Sequence, residues 1–122
     1  METKHIKAAE KVLNDFLKAL QDKNPAIMVK YCQKTWVNTH ESKDKLLYLS
    51  EMTVFLSDFK WEVKSNKVIG EACIDFHVSI IRQLPEITNT FRFRLICETA
   101  SYTPSLDGEW GVNPISRTEV II

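Results

Sequence analysis

The longest regular pattern of apolar and polar positions lies between Val68 and Glu98, and it predicts two long strands. In Ala72–Arg82 and again in Ile87–Glu98, alternate residues are mostly apolar, and the short turn Gln83–Glu86 separates the two segments. A period of two over this length is typical of an antiparallel pair with one apolar face and one polar face. The apolar face needs a cover, which the rest of the chain must supply.

The N-terminal half follows a helical period instead. Its apolar residues predict one helix from about residue 4 to residue 22. A second, short helix is predicted to begin at Asn24-Pro25, because asparagine is a good N-cap and proline fits the first helical position. A third helix is predicted from Ser42 to just before Asp58, and Trp36-Val37 is predicted to lie in an irregular connector between the second and third helices.

Beyond the third helix the period changes to two. We predict a strand from Phe59 to about Ile69, with a bulge near Ser65-Asn66 where the alternation slips by one residue. The two long strands, Ala72–Arg82 and Ile87–Glu98, form what we call the organising pair. They are followed by a polar loop, Ser101–Gly108, and by a last strand from Trp110 to Ile122. Segregated helices and strands indicate an α+β fold, with three N-terminal helices packed on a curved, mostly antiparallel four-strand sheet, a cone, as a single domain over residues 1–122.

The turn also predicts the register of the organising pair. If Arg82 meets Ile87, apolar residues lie opposite apolar residues on one face, and polar residues lie opposite polar ones on the other. The outer face then carries five polar side chains: Asp75 opposite Arg94, His77 opposite Arg92, and Glu98. We favour a ladder of cross-strand ion pairs, solvated or facing a dimer partner, over an acid–base pair made by Asp75 and His77. Ile81, Ile96 and Ile121 on the same face suggest a homodimer interface.

The concave face is predicted to be apolar throughout. Its positions are Phe59, Trp61, Val63, Ile74, Phe76, Val78, Phe91, Phe93, Leu95, Trp110 and Val112, none of them ionisable. If a cavity lies over this face, its predicted lining is Tyr31, Cys32, Trp36, Tyr48, Trp61, Phe93 and Trp110. Aromatic walls with a few polar tips are typical of small-molecule sites, but such a stripe more often fills a core, and we favour that interpretation.

Charge and cysteine content narrow the class of protein. Lysine plus arginine equals aspartate plus glutamate at 16 each, so the formal net charge is zero, which disfavours nucleic acid and acidic membranes as partners. Three cysteines without short spacing fit neither a disulfide framework nor a zinc site and are expected to be reduced, and the histidines share no metal-ligand spacing. We expect no cofactor, no signal peptide and no membrane span, and hence a cytoplasmic protein.

Two segments carry a resemblance to a known family. The run Lys67–Phe76 resembles the second hairpin of the nuclear-transport-factor-2-like superfamily, and the motif Asp107-Gly108-Glu109-Trp110-Gly111-Val112 resembles the Asp-Gly-x-Trp-x-Val start of its last strand. Together with the three helices and the long meander, the resemblance covers nearly the whole chain. It implies a cone in which helices close a pocket over the concave sheet face, and frequent dimerisation through the sheet.

That superfamily includes ketosteroid isomerase, scytalone dehydratase and polyketide cyclases, and also non-catalytic binding, transport, immunity and secretion-system domains. Fold alone does not choose among them. Our leading hypothesis is a non-catalytic domain that binds an apolar small molecule or a protein partner, as a homodimer. The alternative is an isomerase-, dehydratase- or cyclase-type enzyme, which needs an ionisable side chain in the cavity, and no catalytic residue is assigned. A third hypothesis is an accessory or immunity-type domain that acts through the outer sheet face.

Overall fold

The computed structural model describes residues 1–56, 58–83 and 85–120, the last five of these by backbone alone. Helices come first and strands follow, which confirms the predicted α+β class. The helices are α1 (Thr3–Gln21), α2 (Pro25–Met28), a 3-10 turn (Val29–Tyr31), α3 (Lys34–Thr39) and α4 (Ser42–Phe55). The strands are β1 (Phe59–Gly70), β2 (Cys73–Gln83), β3 (Glu86–Ala100), β4 (Thr103–Pro104) and β5 (Glu109–Val120).

The strands form one curled antiparallel sheet. Strand β2 lies between β1 and β3, and β5 pairs with the other side of β3. The two-residue strand β4 pairs with the end of β3, within the segment predicted as a loop. Irregular pairing of β1, between Val63 and Ser65 and again between Val68 and Gly70, adds local bends to this edge of the sheet. The first irregularity lies next to the bulge predicted at Ser65-Asn66.

The predicted register of the organising pair is confirmed. Arg82 lies opposite Ile87, as the turn requires, and Gln83 lies opposite Glu86. The same register sets Phe76 against Phe93, Asp75 against Arg94 and His77 against Arg92. Three residues that the sequence predictions include lie outside the described residues: Leu84 in the turn, and Ile121 and Ile122 in the last strand.

The helices cover the concave side of the sheet and fill it. Every position predicted to be concave belongs to the core or packs against it. Phe16 of α1 meets Phe93 of β3 edge to face, with ring centroids 6.5 Å apart. The helices contribute these buried side chains to the same core: Ala9, Leu13, Phe16, Leu17, Ala19, Leu20, Met28, Trp36, Leu49 and Met52. Each large apolar side chain buried in this way contributes about 1.5–3 kcal/mol, so the filled concave face is the main source of stability.

The connector predicted at Trp36-Val37 is wrong, because these residues lie in α3, a helix that the sequence analysis did not predict. The segment Lys34–Thr39 contains two threonines and a valine, which are weak helix formers, so its pattern gave no helical signal. The helix is stabilised instead by a hydrogen bond to a residue far away in the sequence. The backbone N–H of Thr35 donates to the carboxylate of Glu98 in β3, which satisfies a donor in the first turn of α3.

The motif Asp107–Val112 marks a close approach of two backbones. The Gln33 N–H donates to the Val112 carbonyl at 2.8 Å, so the chain just before α3 runs alongside β5. A Cβ atom at Gly111 would lie 2.6 Å from the Gln33 Cα, closer than non-bonded carbon atoms approach. Gly111 is therefore required by packing rather than by an unusual backbone angle.

None of the helices within the described ranges has the length and apolar character that crossing a bilayer requires.

Candidate functional site

Three of the residues predicted to line a pocket lie in the core or at its edge. Phe93 is fully buried between Phe16 and the neighbouring Phe91. Trp61 is half-buried, and its indole N–H donates to the Asn14 side chain of α1 at 2.9 Å. Trp110 is also half-buried and packs against the core from β5. These three side chains hold the helices on the sheet, which is the core-filling role that the sequence favoured.

Two other predicted pocket residues, Trp36 and Tyr48, are brought together. Their ring centroids lie 6.0 Å apart, so α3 and α4 are in contact at this point. The Tyr48 hydroxyl donates to the Pro114 carbonyl at 3.2 Å, which ties α4 to β5. The indole N–H of Trp36 is buried and donates to no acceptor in the part of the chain that the structure describes. A buried donor without a partner is uncommon in folded proteins and is often a place where water or a ligand binds.

Tyr31 and Cys32 lie apart from this pair. Tyr31 walls a shallow hollow of about 180 Å³ together with residues of α1 and α2, among them Asp15 and Ile27. Cys32 is buried, its thiol donates to the Met28 carbonyl at 3.3 Å, and burial raises the pKa of the thiol to about 12. A thiol with so high a pKa is protonated at neutral pH and is a poor nucleophile, so Cys32 acts as a structural residue.

The outer face of the sheet carries the four predicted interface residues. Arg94 donates two hydrogen bonds to the Asp75 carboxylate, Nε to Oδ1 at 2.8 Å and Nη2 to Oδ2 at 3.1 Å. Arg92 lies on the other side of the same carboxylate, with its Nε 3.9 Å from Oδ2. The hydrogen bond that Arg94 donates to Asp75 raises the pKa of the Arg94 guanidinium. Both Asp75 oxygens therefore face arginine, while His77 lies half-buried opposite Arg92.

Glu98 does not join this outer ladder, which corrects the prediction that it is one of the polar side chains of the outer face. It is 1% exposed and accepts hydrogen bonds from the Thr35 amide and the Thr35 hydroxyl. The physical reason is α3, a helix that the sequence did not reveal, whose first turn uses Glu98 as an acceptor. Within the described ranges, no three His, Cys, Asp or Glu side chains are grouped so that they could hold a metal ion.

The sequence missed a surface on α4, the third helix that it predicted. Leu49 and Met52 of this helix are buried, but Leu47 is 57% exposed, Phe55 56% and Val54 78%. The guanidinium of Arg82 lies over the Phe55 ring, 5.4 Å from its centroid. The apolar residues of α4 occur on all sides of the helix, and this lack of a single stripe was the signal that could have revealed the surface.

A hollow lies beside this surface. It has a volume of about 510 Å³, opens to solvent, and is walled by Tyr48, Glu51, Met52, Val54 and Phe55. Its walls are mainly apolar, with one carboxylate. A hollow of this composition accepts an apolar side chain or the apolar part of a small molecule.

Compared with known proteins, the chain matches no family model, no curated protein sequence and no solved structure. The likeness to nuclear-transport-factor-2-like proteins thus stays a prediction.

Proposed function

We propose that this chain is a non-catalytic interaction domain that binds protein, in the first place a second copy of itself, through its outer surfaces. The observation that supports this proposal is the filled concave face. Phe76, Phe93 and Leu95 are fully buried under the helices, at positions where a small-molecule domain of this architecture would need space. Apolar side chains are instead left exposed on the outside of α4.

The composition of the concave face also weakens the alternative of an isomerase-, dehydratase- or cyclase-type enzyme. Such chemistry needs an acid or base that projects into an apolar pocket, where desolvation shifts its pKa. The concave sheet positions carry only apolar and aromatic side chains. The two acids predicted on the outer face are engaged by other residues, Asp75 by Arg94 and Glu98 by Thr35.

Membership of the nuclear-transport-factor-2-like superfamily is part of the same proposal, supported by the order of elements and by the helices on the concave sheet face. A cytoplasmic location also belongs to it. Cys32 and Cys97 are buried free thiols, a state that is common in a reducing compartment.

A second candidate function is the binding of a small apolar molecule in the hollow beside α4. Two observations favour it: the hollow of about 510 Å³ beside α4, and the indole N–H of Trp36, which has no acceptor among the described residues. The Trp36 ring lies 6.0 Å from that of Tyr48, which walls the hollow. The ligand would then have an apolar body and one carbonyl-type acceptor.

Sedimentation velocity and thermal denaturation separate these candidates. We expect the sedimentation coefficient of the purified chain to rise from the monomer value towards the dimer value as the concentration is increased about a hundredfold, because mass action converts monomer to dimer. We also expect a panel of apolar carbonyl compounds, such as steroids and long-chain amides, to leave the melting temperature unchanged. A strict monomer whose melting temperature rises with one of these compounds would contradict the interaction domain and support the small-molecule site.

A further inference from the structure

We propose that the outer face of the sheet binds an extended acidic segment of a partner protein, whose carboxylates lie between cationic side chains of β1 and β3. The inference rests on the proposed role as an interaction domain and names the chemistry of a partner other than a second copy. The alternation along the strands defines this face. Ile74 and Phe76 of β2 are buried in the core, so Asp75 between them lies on the opposite, outer face.

One row of outer-face residues crosses three strands and has a carboxylate at its centre. Lys67 of β1 is paired with Asp75, and Asp75 is paired on its other side with Arg94 of β3. Paired residues of an antiparallel sheet have their side chains on the same face, so a cation lies on each side of the acid. Asp75 is buried, and each of its two oxygens accepts a hydrogen bond from Arg94. The acid is therefore engaged, and the two cations determine what this row can bind.

Both cations keep a capacity for binding. Lys67 is exposed, and its ammonium group forms no ion pair with any residue that the structure describes. The Arg94 side chain is 33% exposed and donates two hydrogen bonds to Asp75, whereas a guanidinium has five N–H donors. Because Asp75 holds the guanidinium by two bonds, its other donors are fixed in direction before a partner arrives, which reduces the entropy lost on binding. A carboxylate above this row would meet Lys67 on one side and Arg94 on the other.

The next row repeats the arrangement two residues further along each strand. Ser65 of β1 is paired with His77, and His77 is paired with Arg92 of β3. His77 and Arg92 are both half-buried, so each keeps an accessible part on the outer face. A separation of two residues is about 7 Å along a strand, and alternate side chains of an extended peptide have the same spacing. A segment with an acid at every second position therefore places one carboxylate over each row.

Charge determines which partner fits these two rows. Among their described side chains, three cations, Lys67, Arg92 and Arg94, adjoin one carboxylate, although the formal net charge of the whole chain is zero. If a second copy met this face with its own, the same positive charges would be brought together, which is unfavourable. Nucleic acid is also disfavoured, because domains that bind it are usually basic as a whole. Carboxylates at the spacing of an extended chain match both the sign and the spacing of the charges.

Fluorescence anisotropy tests the proposal with the full chain and a fluorescein-labelled peptide of alternating Glu and Ser residues. We expect saturable binding that weakens about fivefold or more in Lys67→Gln and in Arg92→Gln. Lys7→Gln removes the same charge from an exposed position on α1, on the helical side of the sheet, and should leave the affinity within about twofold of wild type. A peptide with the same number of Glu residues, each separated by two Ser residues, points successive acids to opposite sides and should bind about fivefold more weakly.

The possible outcomes separate this inference from the proposed self-association. An equal loss of affinity in Lys7→Gln and Lys67→Gln, in variants that circular dichroism shows to be folded, would overturn the acidic-segment site. Tighter binding of a labelled oligothymidylate than of the alternating peptide would also overturn it, in favour of nucleic acid. A chain that self-associates in sedimentation velocity but does not bind the peptide would overturn the inference and leave the proposed function intact. A monomeric chain that binds the peptide through Lys67 and Arg92 would support the inference and overturn self-association alone.

Discussion

Glu98 and Thr35 lie 63 residues apart in the sequence, yet the Glu98 carboxylate accepts two hydrogen bonds from Thr35, from the backbone N at 3.1 Å and from Oγ1 at 2.5 Å. The same hydroxyl oxygen accepts a hydrogen bond from the Tyr102 N–H at 2.8 Å. One threonine therefore joins the first turn of α3, the end of β3 and the following turn. Because Glu98 is buried, loss of this contact would leave polar groups without solvent.

We expect Glu98→Ala to lower the free energy of unfolding by about 1–3 kcal/mol, because it leaves the Thr35 N–H without an acceptor. Glu98→Gln keeps one carbonyl oxygen and should cost less. Thr35→Ser, which keeps both donors, serves as the control and should remain within about 0.5 kcal/mol of wild type. Urea unfolding measures the three values, and hydrogen exchange of the Thr35 amide reports the cap directly. An amide that stays protected in Glu98→Ala would show that α3 does not depend on this carboxylate.

Gly111→Ala tests the close approach of the segment before α3 to β5. The new Cβ would meet backbone atoms of Gln33 at 2.6 Å, and backbone atoms cannot move aside as a side-chain tip can. We expect a loss of about 1–3 kcal/mol in the free energy of unfolding. Gly70→Ala is the matched control, since its Cβ would have its nearest neighbour at an ordinary 3.7 Å. Equal stability of the two variants would mean that the two segments separate at little cost.

The Asp75–Arg94 pair is expected to be worth more than the surface ion pairs of the chain. Asp75 is buried and accepts two hydrogen bonds from one guanidinium. A double-mutant cycle with Asp75→Ala and Arg94→Ala should give a coupling of about 1–3 kcal/mol. The exposed helical pair Lys11–Asp15 is the comparison and should couple more weakly. A coupling at Asp75–Arg94 that disappears in high salt would assign the pair to solvent-screened electrostatics.

The pairing of β2 with β3 could be predicted from the sequence residue by residue, because two constraints act on the same strands. The turn fixes Arg82 opposite Ile87, and the alternation fixes which face each residue takes. A shift by one residue would have placed Phe76 opposite a polar residue, so only one register satisfied both. The helices α1 and α2 could also be predicted, because each has a local signal in the sequence. Helix α1 has an apolar stripe, and α2 begins with the N-cap Asn24 followed by Pro25.

The candidate surface could not be predicted in the same way. Helix α3 depends on Glu98, and a contact across that distance leaves no local pattern. The sides of α4 were not distinguishable, because Leu46 and Leu47 look like core residues as much as Leu49 does. Only the packing of α4 on the other helices shows that Leu49 faces inward and Leu47 faces solvent. Tertiary context decided both cases, as it does wherever local preferences are weak.

Cys32 gives the protein a predictable weakness at alkaline pH. Burial raises the pKa of its thiol from 9.0 to about 12, so the folded chain holds this proton more tightly than the unfolded chain. The resulting stability is fully present below pH 9 and is lost as the pH rises towards 12, by at most about 1.4 kcal/mol per pH unit. Cys32→Ala should therefore be less stable at neutral pH but should show a shallower decline above pH 9 in urea unfolding. Cys73→Ala is the comparison: burial also raises that pKa but Arg94 lowers it, so the decline should change less. An unchanged slope in Cys32→Ala would assign the alkaline loss of stability to other groups.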